Sequence, residues 1–179
     1  EPASPYGMTK LASEMVAESF KPLGLATIVL RFFNLAGAYD NHQDVGNLKR
    51  LIPQALTATK DKPLMLHGEN ELWCRDYVHV MDAADACVRA CERVMKGESE
   101  TYNIGREEEV SVKQAVTMVE SVTGSTVWCR TGERIPGEQR HLVANCWMAE
   151  HKLGWKPTRD LRQMVQDAWD SINNKLEPK

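Results

Sequence analysis

The sequence predicts an α/β fold. A nearly continuous run of apolar, β-branched and aromatic residues at 26–33 reads as a strand buried on both faces, as in a parallel sheet. Segments of helical period flank it, and short strand-like stretches alternate with helices to the end of the chain.

The elements follow in order. Ser4 is placed to cap a helix that has Pro5 at its first position. Leu11, Ala12, Met15, Val16 and Phe20 give that helix a buried stripe, and Gly24 stops it. After the strand at 26–33, residues 34–46 are polar and glycine-containing and read as loop. Leu48, Leu51, Ile52, Ala55 and Leu56 have helical spacing, with Pro53 tolerable only in the first turn. Residues 64–66 and 74–80 read as strands, and 82–96 as a helix through Ala84, Cys87, Val88, Cys91 and Met95. A short strand at 101–104 ends at Gly105. Ser111 and Gln114 form a capping box for a helix carrying Val112, Ala115, Val116, Val119 and Val122, closed by Gly124. Strands at 126–130 and 141–144 and a short helix at 148–153 precede the last helix. Asp160 caps that helix, and Leu161, Met164, Val165, Ala168, Trp169 and Ile172 share one side of it. The tail from 176 to 179 is expected to fray.

Composition excludes some functions. A net charge of −3 and a pI near 6.0 give no electrostatic footprint for nucleic acid. No apolar run approaches the roughly 18 residues that cross a bilayer, so no membrane partner is expected. The five cysteines form no CxxC pair and read as small core residues in a reducing, cytoplasmic setting, with no metal expected.

Tyr6 and Lys10 lie four apart in the run Ser4-Pro5-Tyr6-Gly7-Met8-Thr9-Lys10, hence on one helix face. An ammonium beside a phenol favours the phenolate, which suits the tyrosine to exchange a proton with a carbinol. Further strings stand downstream: Arg31-Phe32-Phe33-Asn34 with Ala36-Gly37-Ala38, Gly46-Asn47-Leu48 with Ile52-Pro53, and Arg75-Asp76-Tyr77-Val78-His79-Val80 with Asp82. Tyr102-Asn103-Ile104-Gly105 with Ser111-Val112, Arg134-Ile135-Pro136-Gly137-Glu138 and Leu153-Gly154-Trp155-Lys156-Pro157 complete the set.

In this order the strings resemble the C-terminal half of the extended short-chain dehydrogenase/reductases, in particular their UDP-glucose (UDP-galactose) 4-epimerase group. The resemblance covers essentially the whole chain. It implies the C-terminal part of a Rossmann-type fold with a small α/β substrate-binding domain. Residues 1–46 would be a remnant of the Rossmann sheet, and 47–179 mainly a nucleotide-sugar-binding region. It also implies a UDP-sugar substrate and an NAD held by the intact enzyme. Tyr6 would take the sugar 4-OH proton while hydride passes from C4 to NAD, and Lys10 would assist it and touch the nicotinamide ribose. Asn34, Asn47, Leu48, Arg75 and Arg134 would contact the diphosphate sugar, with Arg140 an alternative to Arg134. Met65 and His67 fall in a stretch whose backbone meets uracil in that group.

Plainer roles stand beside these. Tyr6 could be a capping-turn aromatic, Asn34 a strand-ending turn residue, Asn47 an N-cap and Arg75 a surface strand arginine. His79 reads best as a satisfied core or surface histidine.

The glycine-rich phosphate loop, the acidic ribose-binding residue and the third catalytic hydroxyl belong upstream of Glu1 in that family. The chain alone is therefore expected not to hold NAD, to expose apolar surface on the helix at 9–20 and the strand at 26–33, and to need either a second copy or the missing N-terminal half. The activity is expected to be 4-epimerisation. The alternatives are a dehydratase or decarboxylase of the same family, or a non-catalytic UDP-sugar-binding fragment.

Overall fold

The structure is a computed structural model that describes residues 2, 4–39, 50–67, 73–133 and 139–176. Helix α1 (Pro5–Ser19) begins where its capping residues dictate. Ser4 is extended, at φ −141°, and its Oγ accepts from the Gly7 amide at 3.1 Å. Strands β1 (Ile28–Phe32) and β2 (Asn34–Ala36) are one run that changes partner at Phe33. β1 pairs in parallel with β6 (Glu100–Ile104), and β2 in parallel with β5 (Tyr77–His79). Helix α3 (Val80–Met95) follows β5 directly and leads towards β6.

Elsewhere, β3 (Leu64–His67) pairs in parallel with β8 (Cys129–Gly132). A three-stranded sheet has β4 (Cys74–Arg75) between antiparallel β7 (Val110–Ser111) and parallel β9 (His141–Leu142). Helices α2 (Leu51–Leu56), α4 (Val112–Thr123) and α5 (Leu161–Leu176) pack together around Ile52, Leu64, Val119, Met164 and Val165. A second core holds Val78, Ala86, Tyr102, Ile104 and Trp155, against which Ile28 and Leu30 pack. The capping box on α4 is reciprocal. Gln114 N donates to Ser111 Oγ at 3.1 Å, and Ser111 N donates to Gln114 Oε1 at 2.7 Å.

Several expectations change. The stripe Leu11, Ala12, Met15, Val16 and Phe20 is not buried within this chain and α1 has no buried residue, which agrees with the expectation that this face stays open when nothing else packs on it. The strand at 26–33 is half-buried at best, with Arg31 and Phe32 exposed, because among the described residues no further layer covers that face. Residues 34–36 are strand rather than loop, since they find hydrogen-bond partners in β5. The expected strand at 74–80 is two pieces, because Asp76 turns its carboxylate inward to bind amides elsewhere. The core face of α3 is Asp82, Ala83, Ala86 and Ala90. Cys87, Val88, Cys91 and Met95 point to solvent, so of the five cysteines only Cys74 and Cys146 are buried. Small alanines allow α3 to lie close on the sheet, which the bulkier face does not. The short helix is π-helical at Ala149–Leu153. Residues 40–46, Leu48 and 177–179 lie outside the described residues.

Buried polar groups tie these layers together. Trp155 Nε1 donates to the Asp82 carbonyl at 2.8 Å. The Asp82 carboxylate accepts from Thr158 N and Oγ1 and from Arg159 N and Nη1. Burial pushes that carboxyl up, and these four donors reverse the shift to a net lowering. His79 is fully buried. Its Nδ1 accepts from Met81 N at 3.0 Å, so Nε2 carries the proton and donates to Asp167 at 2.9 Å. Gly37, at φ +84°, lies against this ring, and a Cβ there would come within 2.4 Å of Nε2.

Burial lowers the His79 pKa below its ordinary 6.5, against the pull of Asp167. Above that pH both folded and unfolded chains are neutral at this ring. Below it the unfolded chain takes a proton that the native site resists, so stability falls as pH falls. The urea midpoint is therefore expected to drop between about pH 7.5 and pH 5.5. His79→Asn, which keeps an acceptor for Met81 N, should flatten that dependence.

Candidate functional site

A cavity of about 1310 Å³ opens beside the strand run β1–β2. Ligands of open α/β sheets gather at the carboxyl ends of parallel strands. Tyr6, Asn34 and Arg75 all line this cavity, although they are far apart in sequence. Lys10 stands one helical turn from Tyr6, its Nζ over the tyrosine ring at 5.5 Å from the centroid. The helix carrying both is fixed to the sheet by Arg31 of β1. Its guanidinium grips the Glu14 carboxylate with two nitrogens, Nε at 2.9 Å, and the Arg31 hydrogen bond holds the Glu14 carboxyl below its ordinary range.

Asn34 opens β2 instead of ending a strand. Its amide donates to the Asp76 carbonyl at 3.0 Å, at the point where the run leaves β6 for β5. Tyr77 is its register partner and is buried. Burial pushes the Tyr77 phenol up to about 12, while the Arg75 charge and a hydrogen bond with the Asn34 side chain oppose this. Tyr77 is thus a neutral hydroxyl at any physiological pH. Arg75 is half-buried, and its Nη1 donates to the carbonyls of Cys74 at 2.9 Å and Arg140 at 3.4 Å. The Arg140 side chain is not among those that line the cavity. Met65 and His67 do line it, and His67 Nδ1 is 3.0 Å from the Glu133 carbonyl. Asn47, Leu48 and Arg134 lie outside the described residues.

Arg50 and Lys62 also face the cavity, and sequence reasoning did not find them. Arg50 precedes α2 and Lys62 precedes β3, so neither sits in a recognisable string. With Arg75 they place three cations around one space, and no aspartate or glutamate among the described residues lines it. The chain as a whole is acidic, so this segregation is local.

These features define an α/β protein with a cation-lined cavity beside a paired tyrosine and lysine. The profile of the NAD dependent epimerase/dehydratase family matches residues 1–105, and the chain belongs to that family. It is 35% identical to a UDP-glucose 4-epimerase of Corynebacterium glutamicum, over 94% of this chain and 54% of that protein. Identity to the Halalkalibacterium halodurans UDP-glucose 4-epimerase is 34%, over the same shares. A UDP-glucose-4-epimerase of Stenotrophomonas maltophila, solved with NAD and formylated UDP-arabinopyranose, superposes with a TM-score of 0.88 at 28% identity. The match covers 97% of this chain and 56% of that one. The Thermotoga maritima UDP-glucose 4-epimerase, solved with UDP-glucose, gives 0.83 at 28% identity, over 99% and 56%. The chain spans about half the length of the curated relatives it matches. Among its described residues no helix is long and apolar enough to cross a membrane.

The Arg31–Glu14 pair is partly exposed and so contributes about 0.5–1 kcal/mol. Glu14→Gln should loosen α1 by that amount, read as faster amide hydrogen exchange confined to α1. An unchanged exchange rate there would show that the pair does not hold the helix.

Proposed function

We propose that this chain is the substrate-binding part of an NAD-dependent nucleotide-sugar 4-epimerase of the UDP-glucose/UDP-galactose type. One observation carries the proposal: Arg50, Lys62 and Arg75 surround a cavity that no described carboxylate lines. A pyrophosphate is the group such a cavity suits, and the arginine forks match its oxygens in bidentate fashion. Asn34, held by Tyr77, offers its amide to the same ligand. Asn47, Leu48 and Arg134 complete the proposed diphosphate contacts.

In this reading Tyr6 moves the proton at the sugar hydroxyl, and the Lys10 ammonium beside its ring supports the negative charge that forms there. The residues present fit one end of the cofactor only. Tyr6 and Lys10 present a hydroxyl and an ammonium to a nicotinamide ribose, but the described residues contain no glycine-rich turn between a strand and a helix. When bound, NAD supplies the hydride acceptor at the sugar carbon. The chain's own work is to anchor the diphosphate, present the hydroxyl to Tyr6 and hold the proton.

A second reading, a UDP-sugar-binding fragment that depends on a partner, is favoured by the exposed apolar faces. Met15, Val16, Phe20, Leu23 and Leu25 around α1 are exposed together with Phe32, Val88 and Met95. Isolated proteins rarely leave so much apolar surface open. The occupant we propose is the polypeptide that binds the rest of NAD, since the relatives are about twice as long as this chain.

Calorimetric titration tests the binding. UDP and UDP-galactose should bind the chain, and Arg75→Ala should weaken both about ten- to a hundredfold, the loss of one charge-assisted contact. Tyr6→Phe should leave UDP affinity unchanged and abolish epimerisation once the cofactor-binding polypeptide is supplied. Absence of UDP binding would end this reading. Without that polypeptide the chain should sediment as oligomers at micromolar concentration, and a clean monomer would count against the need for a partner.

A further inference from the structure

The sheet β7–β4–β9 brings together three donor atoms of different chemistry. Cys74 Sγ, a Glu109 carboxylate oxygen and a His141 ring nitrogen lie within 4.8 Å of one another. They come from three separate segments. Cys74 and His141 are register partners across the parallel β4–β9 pair, and Glu109 immediately precedes β7, the antiparallel neighbour of β4. Cys74 is only 8% exposed, whereas the side chains of Glu109 and His141 are both 62% exposed. His141 Nδ1 and Glu109 Oε1 stand 3.9 Å apart, too far for a hydrogen bond. Cys74 is a thiol, not half of a disulfide.

We propose that Cys74, Glu109 and His141 form a site for a divalent zinc ion, with water in the fourth position. The donor set selects the metal. Magnesium and calcium take oxygen ligands, whereas a thiolate, an imidazole and a carboxylate together suit zinc. Bond lengths of about 2.0–2.3 Å put tetrahedral ligands roughly 3.5 Å apart, so the group must contract by about an ångström. Cys74 is the fixed point, because its amide donates to the Arg140 carbonyl at 2.8 Å. The exposed Glu109 and His141 side chains have the rotameric freedom to close on it. An ion there would bolt β7 and β9 together across β4. Arg75 follows Cys74 on that strand and donates to the Cys74 and Arg140 carbonyls, so the ion would also stiffen one wall of the cavity. The inference does not depend on the nucleotide-sugar reading.

The test is to treat the full chain with chelator and titrate it with cobalt(II). The expected result is a thiolate-to-cobalt charge-transfer band with the visible bands of a tetrahedral ion, both displaced by stoichiometric zinc. Zinc should also raise the melting temperature. Cys74→Ser should remove the charge-transfer band, and His141→Ala and Glu109→Ala should each weaken binding about tenfold or more. Cys87, Cys91 and Cys129 are exposed, and Cys87 and Cys91, one turn apart on α3, are the pair of thiols that could rival the site. The Cys87→Ser/Cys91→Ser variant should keep the band in full. Loss of the band in that variant, or its survival in Cys74→Ser, overturns the site. Should Cys74→Ser not fold, the two exposed-residue variants decide, and cobalt affinity equal to wild type in both overturns it as well.

Discussion

The Asp76 carboxylate is the constraint on which the rest of the structure depends. It is 1% exposed and accepts from the amides of Arg106 at 2.7 Å, Glu107 at 2.9 Å and Ala144 at 3.1 Å. Those amides lie just past β6 and just past β9, so one side chain joins β5 to two segments distant in sequence. Burial pushes its carboxyl up, and the three amides offset part of that. Gly105 makes the approach possible, since a Cβ there would come within 2.5 Å of Asp76 Oδ2 and 2.6 Å of the Ala144 Cβ. Because Asp76 turns inward, the strand breaks into β4 and β5. Arg75 on one side and Tyr77 on the other then face the cavity. The Asp76 carbonyl also receives the Asn34 amide, which fixes where the β1–β2 run changes partner.

The local strings made this half of the site legible. Ser4, Pro5, Tyr6 and Lys10 declare a capped helix with one chemical face, and the cap forms as its residues require. Arg75, Asp76 and Tyr77 were legible as a group, but not the division of labour among them, which depends on amides 30 and 68 residues away. Arg50 and Lys62 were invisible for a similar reason. Each is an ordinary cation in its own window, and only the closure of α2 and β3 around the cavity gives them a common target.

Helix α3 shows why periodicity alone misplaced a core. It carries two apolar stripes, Ala83-Ala86-Ala90 and Ala84-Cys87-Val88-Cys91-Met95, offset by one residue. Periodicity favours the bulkier one, whereas packing against β1 and Trp155 selects the smaller. The same holds for α1, whose apolar stripe is real in sequence and open in structure. A hydrophobic period reports that a face is destined for burial without reporting what buries it. In a chain that spans about half the length of its relatives, the two are readily confused.

The open face bears on chemistry as well as on stability. Tyr6 is 71% exposed, and the Lys10 ammonium over its ring is likewise in contact with water. The attraction between an ammonium and a phenolate scales inversely with the effective dielectric constant. It is about fourfold stronger at 20, near a protein surface, than at 80 in bulk water. A layer placed over α1 would therefore do two things at once. It would remove the apolar surface of Met15, Val16 and Phe20 from water, and it would lower the dielectric around Tyr6 and Lys10. Anchoring by Arg31 and Glu14 presets the position of that pair beforehand. Arg50, Lys62 and Arg75, by contrast, line a cavity formed by α2, β3 and β4 of this chain, so their placement does not depend on a cover over α1.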